Sequence, residues 1–246
     1  INKHINQNIM FLTFKTANIF TTIDTRINKS SSEQNDMIEN EFWNMISLLE
    51  LVLAHNKLEE PQSIHNISYF TEQIYKEVQL NYPKLNISDE EIENVSKLAT
   101  IHDIGKLFTP YEILNKKGKL TKDEMDIIKK HPLNGANMAL KLPKCGKASK
   151  LVQYAYNICL YHHERYDGQG YPKGLIGDEI PLEAQVVGLA DAYDALISER
   201  PYKRKINHGE AVRMIVNGEC GSFSPKVILS FIIASMNKTW IEKVSK

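Results

Sequence analysis

Tyr161-His162-His163-Glu164-Arg165-Tyr166-Asp167-Gly168-Gln169-Gly170-Tyr171-Pro172 puts two adjacent histidines at the end of a helical pattern and runs straight into a Gly-rich loop. Glycine recurs at 168, 170, 174 and 177, with proline at 172 and 181. Neutral imidazoles are good transition-metal ligands, and glycine lets a backbone turn tightly or approach a ligand closely. Histidine pairs are common on surfaces, so the pair alone decides little. Its weight comes from His102-Asp103 upstream and Asp191 downstream, each on a helical pattern of its own. Read outward from this stretch, most of the chain is helix that carries a few side chains to one point.

The helix leading into the pair spans Ala148–His163. Leu151, Ala155, Ile158 and His162 share one face, with Val152, Cys159 and His163 beside it. After the loop, Leu182–Ser198 reads as a helix in which Val187 leads to Asp191 and Asp194. Further upstream, Ser88-Asp89-Glu90-Glu91 has the form of a capping box, in which the Ser hydroxyl caps the third amide and Glu91 reaches back. That helix runs through Ile92, Val95, Leu98 and Ala99, turns His102 and Asp103 inward, and stops at Gly105. Thr121 and Glu124 form a second box. Its helix puts His131 on the inner side and ends at Pro132, and a short helix over 134–142 follows.

Nearer the N-terminus, Ile38, Phe42, Met45, Leu49 and Val52 keep helical spacing from Asp36 to Lys57. After a break at Glu59-Glu60-Pro61, Ile67, Phe70, Ile74 and Val78 form the buried stripe of another helix, with His65 off that stripe. Residues 1–35 read as a leader or the remnant of an upstream region, residues 29–36 being a polar connector, and 36–246 as the main domain. No stretch alternates with period two long enough for a strand. The expected fold is an all-α helical bundle.

Lys+Arg and Asp+Glu are 30 each, so no net basic field argues for a nucleic-acid polymer or an anionic membrane. Three cysteines, Cys145, Cys159 and Cys220, form no CxxC pair, which fits a reducing, cytoplasmic setting. The apolar run Ile9–Phe20 is too short and too polar to span a membrane and carries no signal-peptide cleavage pattern.

Five of the eight histidines fall in one set: His65, His102, His131, His162 and His163. For a single inward histidine, a hydrogen-bonded core residue is the better reading. Five, joined by Asp103 and Asp191 on inner faces, are better explained as ligands. A buried carboxylate needs a partner, and metal cations would supply one. Seven N/O donors are too many for one tetrahedral zinc and leave room for water on two metals. The absence of thiolate favours iron or manganese over zinc.

His102-Asp103-Ile104-Gly105-Lys106 resembles the HD motif of the metal-dependent phosphohydrolase superfamily. With His162-His163-Glu164 through Gly168 and with Gly170-Tyr171-Pro172, the chain resembles the HD-GYP subgroup, which hydrolyses the bacterial messenger cyclic di-GMP. The similarity runs from Asp36 to Phe231 and includes Glu112–Lys116, His131-Pro132, Asp191–Leu196 and Arg200-Pro201-Tyr202. It implies an HD-domain bundle with a Gly-rich GYP loop and two divalent transition metals. His65, His102, Asp103 and Asp191 would hold one metal. Asp103 would bridge to a second, held by His131, His162 and His163. A bridging hydroxide would open the ring to linear pGpG, with GMP as a further product. Lys106 would stabilise charge on the phosphate, and Tyr171, Arg200 and Lys203 would contact the dinucleotide.

The resemblance also allows an upstream sensor domain and a homodimer. A non-catalytic messenger sensor, or a phosphohydrolase for another nucleotide, is the alternative. Two departures stand out. Pro61 occupies the place where some members have a metal-binding Glu, so two metals are expected, not three. Ser224 stands where the family often has Asp, with an expected effect on a local turn only.

Overall fold

The computed structural model describes residues 31–56, 58, 60–144, 146–198 and 205–244. Helix α1 (Ser31–His55) starts inside the stretch read as a polar connector. A polar first turn is no bar to a helix whose apolar face begins one turn later. Phe42, Met45, Ile46 and Leu49 are buried as the spacing requires, but Leu53 takes the last core position and Val52 is only half-buried.

Helix α2 (Pro61–Asn81) starts with proline in its first turn, where a missing N–H costs nothing. Ile67, Phe70, Ile74 and Val78 are its buried stripe, as expected. Helix α3 (Asp89–Leu98) is capped at Ser88, whose Oγ accepts from Glu91 N at 3.1 Å. The second half of the expected box is not formed there. The Glu91 carboxylate is taken instead by the Tyr75 hydroxyl, at 2.7 Å.

The helical path does not continue through the His102-Asp103 pair. It tightens to a 3₁₀ turn over Ala99–Ile101, and a second 3₁₀ stretch, Ile104–Phe108, follows Asp103. Gly105 therefore is not a helix stop. A Cβ there would lie 2.0 Å from the His131 carbonyl oxygen, so glycine is what lets this turn press against the backbone at His131.

Helices α4 (Tyr111–Leu114) and α5 (Lys122–Ile128) cover the outside. The Thr121/Glu124 capping box of α5 is complete. Helix α5 ends before His131. His131 opens α6 (His131–Ala139) and Pro132 sits in its first turn, so this proline starts a helix rather than ending one.

Helix α7 (Ala148–Tyr161) packs on α6, and α8 (Leu182–Ile197) packs on both α7 and α2. Helices α9 (His208–Val216), α10 (Pro225–Ser235) and α11 (Lys238–Val244) close the far side, α10 lying along α2. Among the described residues there is no strand, only an isolated bridge between Asp167 and Ile176. Nor is any described helix long and apolar enough to cross a membrane.

Two features lock α8 in place. A Cβ at Gly188 would fall 2.4 Å from the His162 carbonyl oxygen, so α8 passes directly against the end of α7. Asp194, 1% exposed, accepts from Ser63 Oγ at 2.5 Å, Asn66 Nδ2 at 2.8 Å and Ser198 Oγ at 3.1 Å. This clasp joins α8 to the first turns of α2. Burial pushes its carboxyl above the ordinary value, and these three donors oppose that push.

Candidate metal centre

Three of the elements just described meet at one point. The 3₁₀ turn brings His102 and Asp103, α6 brings His131 at its first residue, and α7 brings His162 and His163 just past its last. Donor atoms of Asp103, His131, His162 and His163 all lie within 4.8 Å of one another. The same backbone carbonyls that end or start these helices also orient the rings. Nδ1 faces a carbonyl oxygen in His102 (Ala99, 2.9 Å), His131 (Ile128, 2.8 Å) and His162 (Ile158, 2.9 Å). A carbonyl only accepts, so each Nδ1 carries the proton and each neutral ring offers the Nε2 lone pair.

Those lone pairs converge on Asp103. His131 Nε2 is 2.9 Å and His162 Nε2 3.7 Å from its Oδ1, while His102 Nε2 is 3.2 Å from Oδ2. His131 Nε2 and His162 Nε2 are 3.4 Å apart. Asp103 Oδ1 is buried and receives no hydrogen bond. Acceptors facing acceptors in a buried pocket repel unless a cation lies among them. The donor set therefore fits a divalent metal, with imidazole and carboxylate as ligands. Asp191 lies on the Oδ2 side, its Oδ1 3.8 Å from His102 Nε2 and its side chain partly exposed.

The electrostatics run the same way. For Asp103, burial acts upward, but the Lys106 cation is the foremost of the neighbours that act against it, and the carboxyl is held well below its ordinary range. Burial lowers His162, and it lowers His163 strongly with help from His162 and His131, which keeps both rings neutral and able to ligate. Lys106 Nζ is ion-paired with Asp103 Oδ2, which puts the cation beside the centre.

His65 is exposed on α2 and does not belong to the four-residue cluster. Tyr171 is brought in: its ring stacks on His163 at 4.7 Å between centroids and 22° between planes, and its peptide to Pro172 is cis. Arg200 and Lys203 lie outside the described residues. Pro61, at the first turn of α2, is exposed. Ser224 precedes α10 without a side-chain cap, and its hydroxyl is buried without a hydrogen-bond partner.

Two residues were missed by sequence reasoning. Glu164, 4% exposed, accepts from Lys173 N at 2.7 Å and Leu175 N at 3.1 Å and so ties the Gly-rich loop to the end of α7. Arg165 donates to the carbonyls of His162 and Glu164 and lies over the Phe223 ring at 4.9 Å. The available signal was a charged pair set directly between two histidines and a run of glycines, a place where loop amides need acceptors.

Comparison with known proteins adds to this geometry. The sequence profile of the HD domain family matches residues 48–227. Over 161 residues, 65% of this chain and 41% of the relative, the sequence is 39% identical to the cyclic di-GMP phosphodiesterase response regulator RpfG of Xanthomonas campestris pv. campestris. Over 152 residues, 61% of this chain and 34% of the relative, it is 44% identical to a probable cyclic di-GMP phosphodiesterase of Vibrio cholerae. The chain thus spans less than half the length of these relatives. In fold it is similar to the solved structure of Bd1817, a HDG"Y"P protein from Bdellovibrio bacteriovorus, with a TM-score of 0.50 and 21% identity over 92% of this chain and 79% of that one.

Proposed function

The chain belongs to the HD domain family, and on that premise we propose that it is a metal-dependent phosphodiesterase that hydrolyses cyclic di-GMP to linear pGpG, with GMP as a further product. The observation that carries the reading is the convergence of three Nε2 lone pairs on the buried Asp103 carboxylate, with Lys106 beside it.

The donors divide about Asp103 into two groups, which favours two metals over one. Oδ1 faces His131 and His162, with His163 beside them; Oδ2 faces His102, with Asp191 beyond. Family resemblance adds His65 to the second group. With no carboxylate at Pro61, a third site is not expected. Iron or manganese suits an all N/O donor set. Bound there, divalent cations supply Lewis-acid activation of water and of the phosphoryl group.

The protein's own groups do the rest. The carbonyl partners of Nδ1 hold three imidazoles in the ligating tautomer, so no ring must reorient. Lys106 places a cation where charge grows on the phosphate during attack. Tyr171 offers a flat face to a nucleobase beside the reacting phosphate, and Arg200 and Lys203 are proposed as phosphate or guanine contacts.

The test is purified protein loaded anaerobically with Mn(II) or Fe(II), then given cyclic di-GMP, with products resolved by chromatography and a chelator control. Other cyclic dinucleotides run in parallel measure selectivity. Elemental analysis should find two metals per chain, falling toward one in His131→Ala. Fully metallated protein that binds the dinucleotide but forms no product over hours would replace this reading with a messenger sensor.

A further inference from the structure

The Gly-rich loop meets the candidate centre at Tyr171, whose ring stacks on His163 and has Lys129 Nζ 5.3 Å from its centroid. What holds the rest of the loop is the buried carboxylate next to His163, Glu164, which is outside the donor cluster and takes loop amides instead. We propose that Glu164 is a positioning residue: its carboxylate anchors the returning arm of the loop, and that anchor fixes Tyr171 over His163 for the substrate. The inference rests on the phosphodiesterase reading for its substrate, but its geometry stands apart from that reading.

The chain leaves His163, turns at Gly168, and comes back across its own start. At Gly170 a Cβ would lie 2.4 Å from Glu164 Cα and 2.3 Å from Arg165 N, so the loop crosses in contact with the backbone of Glu164. Directly after this crossing, Tyr171 N donates to the His163 carbonyl at 3.2 Å, and the ring stacks on the His163 ring. The Lys129 Nζ, 5.3 Å from the Tyr171 ring centroid, adds a further contact to that ring, but none of these holds the arm of the loop beyond Tyr171. The next residues supply the hold. Lys173 N and Leu175 N both donate to Glu164, one to each carboxylate oxygen. A charged acceptor taking two amides is among the stronger hydrogen-bond arrangements.

Arg165 braces the same carboxyl-bearing residue from behind, through the Glu164 carbonyl at 2.8 Å. Glu164 therefore clamps the loop on the far side of Tyr171, while His163 carries the near side. A carboxylate serving only the stability of the fold would have no reason to act through Tyr171. One that positions Tyr171 must.

The experiment is a double-mutant cycle of Glu164→Ala and Tyr171→Ala in the metal-loaded protein. KM and kcat for cyclic di-GMP are read together with metal content. Expected is a rise in KM of about tenfold for each single variant, and no further rise in the double variant, because both remove the same contact. Metal content should stay at the parent value, since Glu164 is not a ligand. Glu164→Gln keeps one acceptor oxygen and should show a smaller rise. It also serves if the alanine variant fails to fold.

Additive effects in the cycle, an unchanged KM in Glu164→Ala, or a loss of metal would each overturn the proposal. Hydrogen exchange at the Lys173 and Leu175 amides separates this inference from the functional reading. Faster exchange in Glu164→Gln supports the clamp even if the parent turns over a different nucleotide. Unchanged exchange sinks the clamp whatever the substrate.

Discussion

Asp103 offers one oxygen to each half of the donor set and is flanked by Lys106, so one side chain joins the centre to its nearest cation. That lysine yields the sharpest test at residue scale. Lys106→Ala should lower turnover about tenfold or more with a smaller loss in binding, because its charge matters most as the transition state forms. Single-turnover hydrolysis at saturating dinucleotide measures this; equal rates would remove Lys106 from the reaction. A second residue sits away from the centre. Burial pushes the Glu183 carboxyl above its ordinary value, with Glu91 adding to the push and the Asn157 hydrogen bond, 2.7 Å, opposing it. A carboxyl raised on folding stabilises below its unfolded value, and that contribution is lost as pH rises through the folded value. Glu183→Gln, which keeps the acceptor for Asn157, should therefore raise the thermal midpoint at pH 7, by roughly 2–4 °C per kcal/mol relieved. The gain should fade toward pH 4, and a pH-independent shift would refute the account. Most of the candidate metal-binding residues were legible in the sequence, because His102, Asp103, His131, His162 and His163 each end an apolar stripe. His65 was counted in the same set although it lay off the stripe of its helix, and it is exposed on α2, outside the four-residue cluster.

At the scale of elements, the helices were readable where an apolar stripe repeats, as in α2, α3 and α7. Their ends were harder. The His102-Asp103 pair lies in 3₁₀ geometry and His131 opens α6 instead of closing α5. Both outcomes are set by neighbours in space: Gly105 lets the turn lie on the backbone of His131. Propensity and spacing carry no information about such a contact. Gly188 makes the same point between α7 and α8. Gly188→Ala puts a methyl against the His162 carbonyl and must spread the two helices. The expected cost is about 1–3 kcal/mol in denaturant unfolding, and it should come with reduced metal uptake because His162 and Asp191 are on the helices that part. A variant as stable as the parent would mean that α8 can shift freely along α7.

For the whole molecule, the aromatic cluster around Trp240 is decisive. Trp240 of α11 is fully buried, lies 4.6 Å from Phe70 and 5.3 Å from Tyr193 between ring centroids, and donates Nε1–H to the Tyr193 hydroxyl at 3.0 Å. Burial pushes the Tyr193 phenol up to about 12. Nothing in the residue pattern marked this role: a tryptophan beyond the last motif has no periodic partner to mark it as core. Trp240→Ala should cost about 3–5 kcal/mol in equilibrium unfolding. A loss below 1 kcal/mol would mean that α11 is a passenger on the bundle. The Asp194 clasp has a further consequence, for anyone who would transplant this centre into a designed scaffold. The four clustered donors span only His131, His162, His163 and Asp103, which invites a graft of that segment alone. Such a graft would leave out the helix bearing Asp191 and the Ser63–Asn66 turn that fixes its register. The portable unit is therefore discontinuous, and it must import the helical turn Ser63–Asn66 together with the candidate metal-binding residues.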